Sequence, residues 1–143
     1  MRLSSPAFEE GADIPREHTC QGSDLSPPLS WSGISEGAKS LALSYIDPDA
    51  PGGEFCHWLV HTIPAQEKNI EAGDKLGGVE VENDFGKPDY GGPCPPSGKH
   101  RYVFTLYALS VEGLVGVIKE NFIEKVRPVM IEKTELTGLY QKK

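Results

Sequence analysis

Side chains able to donate, accept or carry a proton gather in three short segments, each beside a glycine- or proline-rich loop. The segments are DPDAP at 47–51, FCHW at 55–58 and GPCPPSGKHRY at 92–102. Ligands usually bind where loops line the ends of rigid strands. We therefore regard these three segments as the candidate functional site.

Residue parity indicates which of these side chains can meet. His100 and Tyr102 stand two residues apart on a predicted strand, so both point to the same face of a sheet. His57 and His61 share a face by the same rule, but roughly 13 Å of strand separates them, so they cannot hold one metal ion together. His57 and His100 converge if their two strands lie side by side.

The surrounding loops add backbone donors and stiffness. Gly92 before Pro93 can expose the Gly92 N–H, and glycine allows a ligand to approach closely. Asp47 can accept a hydrogen bond from a histidine, which fixes the tautomer and favours the charged form, or it can meet a ligand ammonium group. Two imidazoles, a phenol and an exposed N–H predict a pocket for a small anion.

The elements that must position these residues are mostly strands. Alternation and β-branched content predict strands over 39–46, 55–63 and 100–109, and the apolar middle of 55–63 indicates a central strand. The spacing of apolar residues predicts one helix over about 115–127, and 130–140 reads as a weaker final strand or extended tail. Strands first and one late helix favour a mainly β sandwich.

Composition limits the class of protein. The 143 residues, 38% hydrophobic and 24% charged, predict a single domain over 1–143, and Gly 16 with Pro 12 suits strands and turns better than a helical bundle. A net charge of −7 argues against nucleic acid as a partner. We expect no signal peptide, no transmembrane segment and a cytoplasmic location. Three cysteines without C-x-x-C spacing fit a reduced compartment.

Five motifs of the chain resemble the phosphatidylethanolamine-binding protein (Raf kinase inhibitor-like) family, in its short prokaryotic branch. They are SPPLSW at 26–31, DPDAP at 47–51, CHWLV at 56–60, GPCPPSGKHRY at 92–102 and ELTGLY at 135–140. The resemblance implies a two-sheet antiparallel β-sandwich with one or two short helices and a small pocket near one end. Carried over by position, the ligand-binding residues are Asp47, Pro51, His57, Gly92, Pro93, His100 and Tyr102.

In that family the pocket binds phosphate, phosphorylethanolamine, acetate or cacodylate, and some members inhibit kinases or proteases. The resemblance implies such a ligand here, a kinase or protease as protein partner, and a homodimer. Phe55 and Cys56 replace a Trp and a His of several longer members, which argues against lipid head groups and Raf-type inhibition. The family resemblance also places Cys20 and Cys94 near the pocket, where they could form a disulfide or be two small buried side chains.

Other interpretations of the same residues remain open at this point. His57 and His100 could be buried structural histidines, and Arg101 could form a structural salt bridge. Asp47 and Asp49 could organise a turn around Pro48. An uncharacterised hydrolase could use His57, His100 and Asp47, although no nucleophile motif is present. A cupin-like metal site would need H-x-H rather than H-x-x-x-H. We expect no cofactor, no metal and no catalytic residue.

Overall fold

The computed structural model describes residues 1–143 as eight strands in two antiparallel sheets. The strands are β1 Arg2–Ser4, β2 Leu29–Ser32, β3 Ser40–Asp47, β4 Phe55–Pro64, β5 Asn69–Ile70, β6 Val79–Val81, β7 Lys99–Leu109 and β8 Met130–Gln141. The small sheet has the order β1-β2-β5, and the large sheet has the order β6-β4-β3-β7-β8. The predicted mainly β, two-sheet fold is confirmed.

Apolar side chains cover the large sheet on both faces. The larger cluster lies between the sheets and joins residues of the small sheet, such as Trp31, to Leu43 and Phe104 of the large sheet. A second cluster on the opposite face packs Leu59 and Tyr107 against a helical segment. Two covered faces explain why 55–63 is apolar on both sides. The prediction that this strand lies in the interior of a sheet is confirmed, because β4 has β6 on one side and β3 on the other.

A short helix lies within the predicted range 115–127, but it begins later and is much shorter than the sequence predicted. The segment consists of a 3-10 turn at Lys119–Asn121, the five-residue helix α1 at Phe122–Val126 and a second 3-10 turn at Arg127–Val129. Val115 and Ile118 are 82% and 53% exposed, so the apolar spacing there does not mark a buried stripe.

Asn121 explains why the helix begins late. Its side-chain oxygen accepts from the Ile118 N–H at 2.8 Å, and its amide donates to the Gly116 carbonyl at 3.0 Å. These bonds stabilise a turn in which Gly116 has a φ of +66° and Ile118 is extended. Backbone of this kind cannot continue a helix.

β8 is a full strand rather than a weak tail. It pairs with β7 from Lys99 opposite Gln141 to Leu109 opposite Met130. The N-terminal segment in turn lies against β8, because the N–H groups of Gly11 and Ile14 donate to carbonyls of β8 at 2.7 Å. Gly138 permits this contact, since a Cβ there would lie 2.5 Å from Ile14. The first and last parts of the chain are therefore packed together.

β4 contains two bulges that change which face its side chains occupy. Tyr45 pairs with Trp58 and Ile46 pairs with Cys56, so His57 has no opposite residue. A second irregularity near Thr62 gives that residue a φ of +56°. An extra residue interrupts the in-out alternation of a strand. The parity rule therefore fails between His57 and His61.

A disulfide joins Cys20 to Cys94 across 74 residues of sequence, and Cys56 is a buried free thiol. The cysteine pairing that the family resemblance suggested is therefore present in the structure. None of the helices is both long and apolar enough to span a membrane. The cytoplasmic location stays a prediction.

We expect one free thiol per chain when the oxidised protein is unfolded in denaturant without reductant. Replacing both Cys20 and Cys94 by serine should lower the free energy of unfolding by about 4 kcal/mol, because the cross-link restricts a long loop of the unfolded chain. Thiol titration and urea unfolding measure the two quantities. Three reactive thiols in the denatured wild type would contradict the disulfide.

Candidate functional site

His57 lies at the bulge of β4, among aromatic rings. Its ring centroid is 5.3 Å from that of Tyr102, 5.0 Å from Phe55 and 5.3 Å from Phe85. Its Nδ1 donates to the Gly91 carbonyl at 2.7 Å. Because a carbonyl only accepts, this bond places a proton on Nδ1 and leaves Nε2 as the unpaired nitrogen of the neutral ring.

Burial lowers the pKa of His57, and the carbonyls of Gly91 and Gly92 oppose the shift only in part. A neutral imidazole is therefore favoured in the empty site, with a lone pair on Nε2. That nitrogen has no hydrogen-bond partner within the protein, so it is free to meet a ligand.

Asp47 and His100 form a buried pair. Their Oδ2 and Nδ1 atoms lie 2.7 Å apart, as the sequence predicted for Asp47 and a histidine. The other ring nitrogen of His100 lies 3.1 Å from the Ser97 carbonyl oxygen. Both contacts are with acceptors, so both are satisfied only when each nitrogen carries a proton. The pair then forms a charge-assisted hydrogen bond with no net charge.

The loop after β3 is fixed by both of its aspartates. Oδ1 of Asp47 accepts from the Asp49 N–H at 2.8 Å, so Asp47, rather than Asp49, organises the turn. Asp49 instead pairs with Arg101 at 2.8 Å, which is the salt bridge expected of Arg101. Hydrogen bonds from Arg101 lower the pKa of Asp49 to about 2. This exposed pair ties the loop to β7.

Tyr102 links the two histidines, which lie on strands that are not adjacent. β4 and β7 lie on either side of β3, so the condition stated for His57 and His100 to converge, that their strands lie side by side, is not met. The Tyr102 ring nevertheless stacks on His100, with centroids 6.3 Å apart, and meets His57 edge-on. Burial and the nearby Asp47 raise the pKa of Tyr102 well above its ordinary value, so its hydroxyl keeps its proton.

The backbone donor expected at Gly92 is already used. Its N–H donates to Oδ1 of Asp24 at 2.9 Å. Glycine is required there for packing, because a Cβ would lie 2.2 Å from that carboxylate oxygen and 2.5 Å from the His18 carbonyl. Pro93 is buried beside it and accepts from the Cys20 N–H at 3.1 Å. Pro51 is exposed in the loop between β3 and β4.

Three residues near the pocket were missed by the sequence analysis. The Gly91 carbonyl accepts from His57, the Phe85 ring packs against the His57 ring, and the Asp24 carboxylate accepts from the Gly92 N–H. Gly91 also lets the Phe85 ring lie over the backbone, since a Cβ would approach that ring to 2.4 Å. The dense glycine run was a signal for Gly91, whereas neither Phe85 nor Asp24 carries a local signal.

The other two histidines make structural contacts. Nδ1 of His18 bonds to the Leu25 carbonyl at 2.9 Å, and Nδ1 of His61 bonds to the Thr62 hydroxyl at 2.7 Å. No three His, Cys, Asp or Glu side chains are placed to hold a metal ion. A cavity of about 760 Å³ lies on the opposite face of the sheet and is lined by none of the seven predicted ligand-binding residues.

Comparisons with known proteins agree with one another. A family model described as phosphatidylethanolamine-binding protein matches residues 4–141. A UPF0098 protein of Methanothermobacter thermautotrophicus is 42% identical, with 99% of each chain covered. A crystal structure of a putative phosphatidylethanolamine-binding protein homologue from Chlamydia trachomatis has a TM-score of 0.94 and 40% identity, covering 99% of this chain and 97% of that one. An Escherichia coli structure, described as a new member of the mammalian family, has a TM-score of 0.91 and 34% identity, covering 99% and 98%.

Asp47→Asn should lower the free energy of unfolding by about 3 kcal/mol, because it removes one charge of a buried pair while keeping the turn acceptor. Asp49→Asn is the matched control, and its effect should be much smaller because its partner is exposed. Urea unfolding at pH 7 measures both. Equal losses of unfolding free energy in the two variants would show that the buried Asp47–His100 pair contributes no more to stability than the exposed Asp49–Arg101 pair.

The stability of the unliganded protein should fall as the pH drops below about 6.5. A histidine with a lowered pKa in the folded state binds a proton more readily after unfolding, so acid favours unfolding. His57→Asn, which retains a donor for the Gly91 carbonyl, should make this decline shallower. Unfolding free energies at pH 7.5 and 5.5 provide the measurement, and an unchanged decline in the variant would refute the role of His57.

Proposed function

Because the chain belongs to the phosphatidylethanolamine-binding protein family, we propose that it binds a small phosphate-like or carboxylate anion between His57, Tyr102 and the Asp47–His100 pair. The observation that carries this proposal is the unpaired Nε2 of His57. It belongs to a buried ring whose other nitrogen is fixed by the Gly91 carbonyl, with the Tyr102 ring beside it.

Protonation of His57 would give the site a positive charge and a second N–H donor, and so allow it to bind an anion. Nε2 of the neutral ring is an acceptor and repels an anion, whereas the protonated ring donates from both nitrogens. An anion nearby favours the charged ring and so opposes the effect of burial. Alternatively the ligand itself brings the proton as an acid hydroxyl. Either route makes binding take up a proton.

The Asp47–His100 pair is proposed to act as a fixed, polar wall. Its charges compensate each other, so Asp47 need not repel the ligand as an isolated carboxylate would. The Tyr102 hydroxyl adds a donor that stays protonated. Loops held by Pro93 and by the Asp49–Arg101 pair reduce the ordering cost of binding.

We favour binding over hydrolysis for this site. A hydrolase of the usual covalent type needs a nucleophile beside its base, and neither His57 nor His100 hydrogen-bonds to a Ser, Thr or Cys side chain. The family also suggests a kinase or protease partner and a homodimer. A phosphorylated or carboxylate side chain of such a partner would present the same anion to the pocket.

Phosphate should bind more tightly at pH 6 than at pH 8, and calorimetry in two buffers of different ionisation enthalpy should detect proton uptake.

His57→Ala should weaken phosphate and acetate binding at least about tenfold, the loss expected for one charge-assisted hydrogen bond. His61→Ala is the matched control, because it removes a buried histidine away from the pocket. Phosphorylethanolamine tests whether the ammonium group adds affinity.

Two results would overturn the proposal. One is a well-folded wild-type protein that binds none of the three probes. The other is binding that His57→Ala leaves unchanged while His61→Ala weakens it. Steady turnover of phosphate esters that His100→Ala abolishes would favour the hydrolase instead.

A further inference from the structure

A second cavity, separate from the anion pocket, lies on the face of the large sheet that carries the second apolar cluster. It measures about 760 Å³ and is bounded by the sheet and by the helical segment that contains α1. Its volume lies within the range of small-molecule sites. We call it the outer groove, defined by Ser44, Thr105, Tyr107, Glu135, Glu120 and Arg127.

Polar side chains form a row across the floor of the outer groove. Ser44 of β3 is paired with Thr105 of β7, and Thr105 is paired with Glu135 of β8. Side chains directly opposite on neighbouring strands lie close together on one face. The row therefore presents two hydroxyls and one carboxylate side by side.

Thr105 lacks a hydrogen-bond partner in the folded chain. It is only 6% exposed, and its hydroxyl lines the groove without bonding to any protein atom. The neighbouring Ser44 and Tyr107 hydroxyls are 3.5 Å apart, the outer limit of a hydrogen bond. The Thr105 hydroxyl faces the groove, and with no partner within the chain it can hydrogen-bond to a molecule bound there.

The lining of the groove is negatively charged. Lys119 is paired with Asp84 at 2.8 Å, which removes one charge of each sign. The remaining charged residues of the lining are one arginine and four glutamates: Arg127, Glu54, Glu120, Glu124 and Glu135. Burial raises the pKa of Cys56 to about 12, so this thiol adds no charge. A concave surface of one sign concentrates ligands of the opposite sign.

We propose that the outer groove binds a small organic ammonium compound of the diamine or polyamine class. One ammonium group would donate to the Thr105 hydroxyl and the Glu135 carboxylate, which only accepts. Apolar lining from Leu59, Phe122 and Ile123 suits the methylene chain between two amines. A metal ion fits less well, because the carboxylates do not converge on one point. This site lies on the opposite side of the sheet from the anion pocket.

The probe is 1,5-diaminopentane, titrated into the full chain and followed by backbone amide NMR shifts. We expect shifts around Thr105 and Glu135, affinity that weakens as sodium chloride is added, and no comparable shifts with neutral 1,5-pentanediol. Thr105→Val should weaken binding about tenfold, and Glu135→Gln about threefold. Thr105→Val should remain folded, since it removes a hydroxyl that has no partner.

Two control variants distinguish binding in the outer groove from nonspecific attraction to the acidic surface and from binding in the anion pocket. Glu112→Gln neutralises an exposed glutamate outside the groove and should bind the diamine like the wild type. His57→Ala should also leave diamine binding unchanged, so failure of the anion pocket and failure of this groove give different results. The proposal is overturned if the diol binds as well as the diamine, if Thr105→Val and Glu135→Gln bind like the wild type, or if the shifts lie only around His57.

Discussion

The large sheet has to be covered on both faces, and most of the structure follows from that requirement. Leu41, Ala42 and Leu43 in the middle of β3 have no exposed surface, although successive side chains point to opposite faces. The small sheet and the N-terminal segment cover one face, and the segment around α1 covers the other. The face covered by the segment around α1 also carries the outer groove, whereas the residues proposed to bind an anion lie on the other face.

Polar groups at the anion pocket are held by a chain of specific partners. The Gly91 carbonyl fixes His57, Asp47 fixes both His100 and its own loop, and Asp24 fixes Gly92. Because these groups are buried, an unmade bond would be costly, so each partner constrains the next. The pocket is therefore arranged before any ligand arrives. Within this region, Nε2 of His57 and the buried hydroxyl of Tyr45 have no hydrogen-bond partner in the protein.

Sequence patterns predicted the parts of the fold that depend on local alternation. The strands now seen as β3, β4 and β7 were placed to within one residue, and His100 and Tyr102 share a face as expected. The family motifs predicted the ligand-binding residues as one group, and that assignment stays a prediction. For Asp47 the sequence left two partners open, a histidine or a ligand ammonium group, and the structure pairs it with His100.

The errors have a common physical cause, which is that distant residues decide the local outcome. The bulge at His57 depends on the register with β3, and the Gly92 N–H is taken by Asp24, 68 residues away. The apolar spacing at Val115 and Ile118 resembled a helix, yet hydrogen bonds from Asn121 fix a turn there. β8 looked weak alone because its stability comes from pairing with β7.

The docking of the N-terminal segment on β8 has a consequence for how the chain acquires its structure. Residues 11–14 find their hydrogen-bond partners on β8, which is synthesised long after them. During synthesis this segment lacks those partners until β8 has emerged from the ribosome, so its docking follows that point. Such distant pairings carry a large loop-closure cost, which favours slow, late folding. The order of translation thus makes the docking of the N-terminal segment on β8 a late step in the assembly of this fold.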